Sequence, residues 1–309
     1  MRIGLHLSAY GTLSSPERIA TLAERAEALG FDSLWIADHI LYPVDFATIY
    51  PYGNTNGFSV EWSHFYDPLS TLAWVAGRTQ RVELGTSVLI VPMRNPVYLA
   101  KQAATIDRLS GGRLVLGSGV GWLREEFEGV DAPSFDRRGE VADEWIGLMK
   151  RLWSGEAVQH QGEFYQHGPI IVKPTPARPG GPPVVIGGVG ERAIRRAAEH
   201  GDGWLPVMVT PDRLAEGAST LRARALALGR DPDAFRIYSQ VNLLAQPETE
   251  ADIPWRIRRP NDAALAKLRA YQAAGCHELI FGEAPHAPLD LMLETIEWVA
   301  RDLRPRLND

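Results

Sequence analysis

Short apolar runs alternate with amphipathic stretches along most of the chain. "RIGLHL" (residues 2–7) has the length and burial of a strand, and "SPERIATLAERAEALG" after it repeats apolar residues at helical spacing. Ser15 is placed to cap that helix, Pro16 occupies its first position and Gly30 ends it. The order then recurs. Strand-like runs are predicted at 32–37, 82–90, 113–119, 182–188, 202–207, 235–244 and 277–282, mostly followed by helices. The predicted helices cover 67–79, 95–112, 136–153, 191–201, 211–229, 261–275 and 289–303.

Eight strands that are apolar on both faces, mostly followed by helices, favour an α/β fold of the TIM-like (β/α)8 barrel type over an open doubly wound sheet. Two regions break the rhythm: insertions at about 40–66 and 120–183, placed at the carboxyl-terminal face of the strands. The Pro/Gly-rich "KPTPARPGGPP" (173–183) lies inside the second, with the same alternation on both sides, and reads as a surface loop leading into the fifth strand. The expectation is a single domain over residues 1–309.

Composition narrows the function classes. The 309 residues are 45% hydrophobic and 23% charged, with a formal net charge of -6. With no long basic run beyond "RIRR" at 256–259, no nucleic-acid partner is expected. The amino terminus lacks a signal-peptide pattern and no long uninterrupted apolar run occurs, so the expectation is a cytoplasmic protein without a membrane partner. Cys276 is the single cysteine, which excludes intrachain disulfides, and "AAGCHELIF" reads as a buried strand start. The histidines outside the second strand, among them His64, His160, His167, His200, His277 and His286, show no zinc spacing, and no metal is expected.

In a barrel of this kind the carboxyl ends of the strands carry the chemistry. His6 ends the first strand and is a candidate for the pocket lining. "DSLWIADHI" places Asp38 and His39 where the second strand stops. Either Asp38 caps a turn beside a satisfied imidazole, or His39 is a proton-exchanging group at the barrel mouth. "GTSVLIVP" puts Ser87 and Val88 near the end of the third strand; as plain sequence it is a β-branched core strand. "GSGVGWLREEF" offers three glycines, then Trp122 and Glu125, but without the acidic residue that a dinucleotide fingerprint requires. Its glycines suit the close approach of a flat ring. In "VVIGGVGERAIRRA", Gly187, Gly188 and Gly190 form either a tight turn or an amide cradle for phosphate at a helix start.

Together, "IGLHL", "AEALGFDSLWIADHI", "GTSVLIVPMRNPVYLAKQAATIDRLSGGRLVLGSGVGW" and "VVIGGVGERAIRRAAEHGDGWLP" resemble the luciferase-like monooxygenase superfamily, in particular its branch of oxidoreductases that use the deazaflavin coenzyme F420. The resemblance spans residues 2–206 in order and spacing. It implies a TIM-like barrel with the ring at the carboxyl ends of the strands, F420 as cofactor with FMN as the alternative, and a homodimer. It further implies that Asp38 bonds the edge of the ring, that His39 is the catalytic residue over its reactive face, and that Ser87 and Val88 form a non-proline cis peptide supporting it. Ile90 and Glu125 join Gly187, Gly188 and Gly190 among the implied cofactor contacts, with His6 and Trp122 in the substrate pocket.

The deazaflavin sugar-phosphate dehydrogenases of this family carry a catalytic glutamate after the fourth strand. Here the aligned residue is Trp122, so sugar-phosphate oxidation is not expected. The aromatic-rich segment 42–65 is expected to cover the mouth and to suit a small-molecule substrate that is apolar or aromatic in part. Three functions follow: an F420-dependent oxidoreductase, an FMN monooxygenase working with a separate flavin reductase, or a non-catalytic binder of either ring.

Overall fold

In a computed structural model of the chain, residues 1–51, 63–247, 255–282 and 287–307 are described. Part of the expected mouth cover (52–62) and His286 lie outside the described residues. The strands are β1 (Arg2–His6), β2 (Ser33–Ile36), β3 (Glu83–Thr86), β4 (Leu89–Ile90), β5 (Leu114–Gly119), β6 (Val158–Gln161), β7 (Gln166–Ile170), β8 (Val184–Gly187), β9 (Gly203–Leu205), β10 (Arg236–Pro247), β11 (Arg256–Arg259) and β12 (Glu278–Gly282). Between them lie α1 (Pro16–Ala28), α2 (Pro68–Ala76), α3 (Pro96–Leu109), α4 (Arg124–Gly129), α5 (Arg138–Leu152), α6 (Glu191–His200), α7 (Pro211–Ala227), α8 (Asn261–Ala273) and α9 (Leu289–Trp298).

Eight strands close a parallel barrel in the order β1-β2-β3-β5-β8-β9-β10-β12, and β12 returns to β1 through Ile3 opposite Leu279. Alternate residues of each strand point to opposite faces. Leu5, Leu34, Leu84, Leu116, Ile186 and Ile237 face outward into the large core shared with the helices. Trp35, Val115, Val185, Leu205, Tyr238 and Ile280 fill the interior. Both faces are therefore dry, which is why the strands read as unbroken apolar runs.

The helices start where their capping residues place them. Ser15 accepts from the Arg18 amide at 3.2 Å, Asp67 from Ser70 at 2.8 Å, and Asn95 from Val97 and Tyr98 at 3.1 Å each. Each such cap stabilises its helix by about 1 kcal/mol. All three are followed by proline at the first helical position.

The predicted third strand (82–90) is two pieces. β3 and β4 flank a cis peptide between Ser87 and Val88, and β4 pairs with β5 farther toward its carboxyl end. The predicted helix 136–153 is α5. Within the second insertion, "HQGEFYQHG" is an antiparallel hairpin of β6 and β7, with His160 opposite His167. "RIRR" is β11, paired in parallel with β10. Cys276 is buried, and burial pushes its thiol up from the usual range. Among the described residues no helix is long and apolar enough to cross a membrane.

The two ends of the barrel differ. At the amino-terminal end, Arg2 bridges Glu278 at 2.8 Å and Glu83, while Arg236 reaches Glu83 at 3.2 Å. That floor is a closed ion-pair network. At the carboxyl end the interior gives way to glycines, Val88 and His6.

Candidate active site at the carboxyl end of the barrel

Val88, the second residue of the cis peptide, turns into the barrel between β5 and β8. A Cβ on Gly119 would strike its Cγ2, and one on Gly187 would lie 2.6 Å from its Cγ1. These two glycines therefore make room for Val88. Of the other two glycines after the fourth strand, Gly117 lies against the Thr86 carbonyl and Gly121 against Phe127 and Ile90. Gly188 has φ +115°, a backbone region that disfavours side chains, and it turns the chain from β8 toward α6. Gly190 is the residue before α6, and no side chain caps that helix. Its first-turn amides and dipole face an approaching anion.

Nearby, the Arg138 guanidinium donates to the carbonyls of Gly121 at 3.1 Å and Phe135 at 2.9 Å. Burial lowers its proton affinity, and Arg124, Arg192 and Arg196 lower it further, against the opposing pull of Asp136. Around α6 the charges are mixed: Arg195 and Arg196 pair with Asp143, Arg195 also with Glu199, and Arg224 with Glu191.

His39 leaves the end of β2 on the inner side of the mouth. Its Nδ1 is 2.9 Å from Oε2 of Glu126, whose side chain is 1% exposed. The other oxygen of Glu126 accepts from the Ile40 amide at 2.7 Å. Aromatic rings flank the imidazole: Phe65 edge-on at 4.9 Å and Trp122 at 6.1 Å between centroids. Tyr50 meets Trp122 at 5.0 Å, Tyr10 stacks on Phe65 at 5.0 Å, and His6 meets Tyr10 at 6.0 Å. One chain of rings therefore runs from β1 to the loop after β5. The described part of the first insertion contributes Tyr50 and Phe65 to it.

Asp38 is buried and already engaged. Its carboxylate is held by the two Nη atoms of Arg94, one at 2.8 Å, and by the Ile90 amide at 2.9 Å. Burial raises the carboxyl from its usual range, and Arg94 pulls it back. Arg94 also reaches Asp67 at 3.5 Å, so one guanidinium clasps both ends of the insertion. Asp38, expected to bond a ring edge, is held here by Arg94 and the Ile90 amide. Ile90 turns its side chain to Met93 and Phe127, leaving its main chain as its link to the site.

Glu125 accepts from the amides of Ala47 at 2.7 Å and Thr48 at 3.2 Å, and from the Thr48 hydroxyl at 2.7 Å. Its carboxylate holds the insertion, and Glu126, one helical step on, faces His39. Arg94, Glu126 and Phe65 are residues that sequence reasoning did not single out. A buried carboxylate in "REEF" facing "DHI" has no signature in spacing.

His6 is 1% exposed and its Nδ1 has no hydrogen-bond partner. Burial lowers it to about 4, so it is neutral near pH 7. The hydroxyls of Ser8 and Ser87, also at strand ends facing this mouth, are buried and likewise unpartnered. Two surface crevices, of about 440 and 640 Å³, lie elsewhere. The first sits at the amino-terminal face, where Arg113 spends its donors on Thr79 and the carbonyls of Ala76, Thr79, Val82 and Ser110.

Comparison with known proteins agrees with this geometry. The luciferase-like monooxygenase family model matches residues 1–275. An uncharacterised protein of Mycobacterium tuberculosis is 34% identical over 194 residues, which are 62% of this chain and 66% of that protein. This chain thus spans about two thirds of that relative's length. The F420-dependent glucose-6-phosphate dehydrogenase of Segniliparus rotundus is 29% identical across 95% of both chains. Among solved structures, an F420-dependent secondary alcohol dehydrogenase in complex with an F420-acetone adduct superposes with a TM-score of 0.80 at 18% identity, over 100% of this chain and 99% of that one. The EDTA monooxygenase of Chelativorans sp. gives 0.81 at 16%, over 99% and 94%. The family model's match over residues 1–275 leads to one conclusion: the chain belongs to the luciferase-like monooxygenase family.

Proposed function

We propose that this protein is an oxidoreductase that moves a hydride between coenzyme F420 and a small, neutral organic substrate that is apolar or aromatic in part. The observation that carries it is His39, set within the wall of rings at the barrel mouth with its Nδ1 against Glu126. The relative named an F420-dependent dehydrogenase, aligned over nearly the whole chain, supports the choice of cofactor.

The residues fit such a group. Three buried polar atoms without partners, His6 Nδ1, Ser8 Oγ and Ser87 Oγ, lie where a polar ring system would satisfy them. The start of α6, which no side chain among the described residues caps, beside Gly188 and Gly190, suits a phosphate. Val88, propped by Gly119 and Gly187, would support the ring from below.

Bound F420 supplies a two-electron hydride acceptor or donor without the oxygen chemistry of a flavin. The chain's own residues do the rest. His39 gives or takes the proton that accompanies the hydride at the substrate. Glu126 and the flanking rings orient the imidazole, and the rings exclude water and hold an apolar substrate by edge and face contacts. Asp38 acts as a positioning residue through Arg94. Trp122, standing where the sugar-phosphate dehydrogenases of the family carry an acid, offers the substrate an apolar face there.

The test is a side-by-side titration of apo protein with F420 and FMN, read by tryptophan quenching. Binding of F420 at least about tenfold tighter is the expected result. Preference for FMN would make the protein the oxygenating half of a pair with a flavin reductase, and binding of neither would overturn the site. The same reading includes a homodimer, supported by the exposed apolar residues Trp74 on α2 and Tyr98 and Leu109 on α3.

A further inference from the structure

We infer that Glu126 is the positioning residue that fixes the tautomer of His39, and so decides which ring nitrogen exchanges the reaction's proton. The inference deepens the hydride-transfer reading and rests on it for the proton's destination. Glu126 comes from α4, and its carboxylate is withdrawn from water at 1% side-chain exposure. One oxygen accepts from the Ile40 amide at 2.7 Å and the other lies 2.9 Å from His39 Nδ1. A carboxylate only accepts hydrogen bonds. The contact at Nδ1 therefore carries its proton on the histidine, and the lone pair of the neutral ring resides on Nε2. Because the same carboxylate also holds the next backbone amide, ring and main chain are fixed as one unit. Phe65 at 4.9 Å and Trp122 at 6.1 Å meet the ring edge-on and limit its rotation.

The step balances as follows. In the oxidising direction a substrate C–H bond breaks, and its hydride, with both electrons, passes to oxidised F420. The substrate O–H bond also breaks, and its proton passes to Nε2. A carbonyl product, reduced cofactor and an imidazolium facing ionised Glu126 result. In the reducing direction the proton returns from Nε2 as the hydride leaves the reduced cofactor.

The experiment needs neither substrate nor cofactor. Long-range ¹⁵N–¹H correlation spectra of the histidine rings are recorded for the native protein and for Glu126→Gln, with His39 assigned by the signal lost in His39→Asn. In the native protein, Nδ1 is expected to be protonated and Nε2 to be the nitrogen that gains a proton on acidification. Glutamine keeps an oxygen for the Ile40 amide and turns an amide donor to Nδ1. The tautomer should then reverse, with Nε2 protonated and Nδ1 the nitrogen that titrates. An unchanged tautomer in Glu126→Gln overturns the assignment. So does a native ring already protonated on Nε2, a result that stands even where the variant does not fold. A failure to bind F420, read in the separate titration, would sink the hydride reading and leave the tautomer result to decide the role of Glu126.

Discussion

His6 shows what one buried side chain does to the acid response of the protein. Burial lowers its imidazole from 6.5 to about 4, with no hydrogen bond at Nδ1 to compensate. Between those values the unfolded chain binds a proton that the folded chain refuses. Stability is therefore present above the unfolded value and is lost as the pH falls from about 6.5 toward 4, by about 3 kcal/mol from this residue. Urea midpoints at pH 7 and pH 4.5 should separate widely in the native protein and less in His6→Asn. Equal separations would show that the imidazole is not withdrawn from water. At this scale the sequence disclosed positions better than partners. Asp38, His39 and His6 were legible because a polar residue at the end of an apolar strand is conspicuous. Glu126 and Arg94 were not, because their roles arise from contacts 87 and 56 positions away.

At the level of elements, Arg94 links the segment after β4 to the end of β2 and to the cap of α2. The Asp38–Arg94 pair is buried, so removing one partner leaves an uncompensated charge. Arg94→Met should cost roughly 3–5 kcal/mol in urea unfolding. Adding Asp38→Asn to it should recover a large part, and strictly additive losses would deny the coupling. The alternation of strands and helices was readable because each element carries its own period and caps. The break of the third strand at Ser87 was not readable from periodicity, since β-branched residues continue through it, and only the family resemblance pointed there. The hairpin of β6 and β7 and the short helix α4 also escaped, for the same physical reason: neither buries a regular apolar stripe.

As a whole, the molecule has two unlike barrel ends. Ion pairs among Arg2, Glu83, Arg236 and Glu278 close one, and the other carries the Asp38–Arg94 pair, the His39–Glu126 contact, aromatic rings and, among the described residues, buried polar atoms without partners. On the outside, the apolar stripe of α2 is mostly core, and Trp74 on its far face lies under Arg78. Tyr98 is 65% and Leu109 70% exposed on α3. Sedimentation equilibrium is expected to give twice the 34.1 kDa chain mass, and Tyr98→Glu to return it toward a single chain. A monomer in both cases would remove the dimer. The clasp at Arg94 has a further consequence, for how such a protein can change. Because Asp38 and Asp67 are anchored to one guanidinium, the ends of the stretch between them stay together whatever its length, and doubling the length of a flexible connection costs only about 0.6 kcal/mol. Its length can therefore change in the course of evolution while the barrel register stays as it is, provided His39, Ile40 and Phe65, which stand near its ends, are kept.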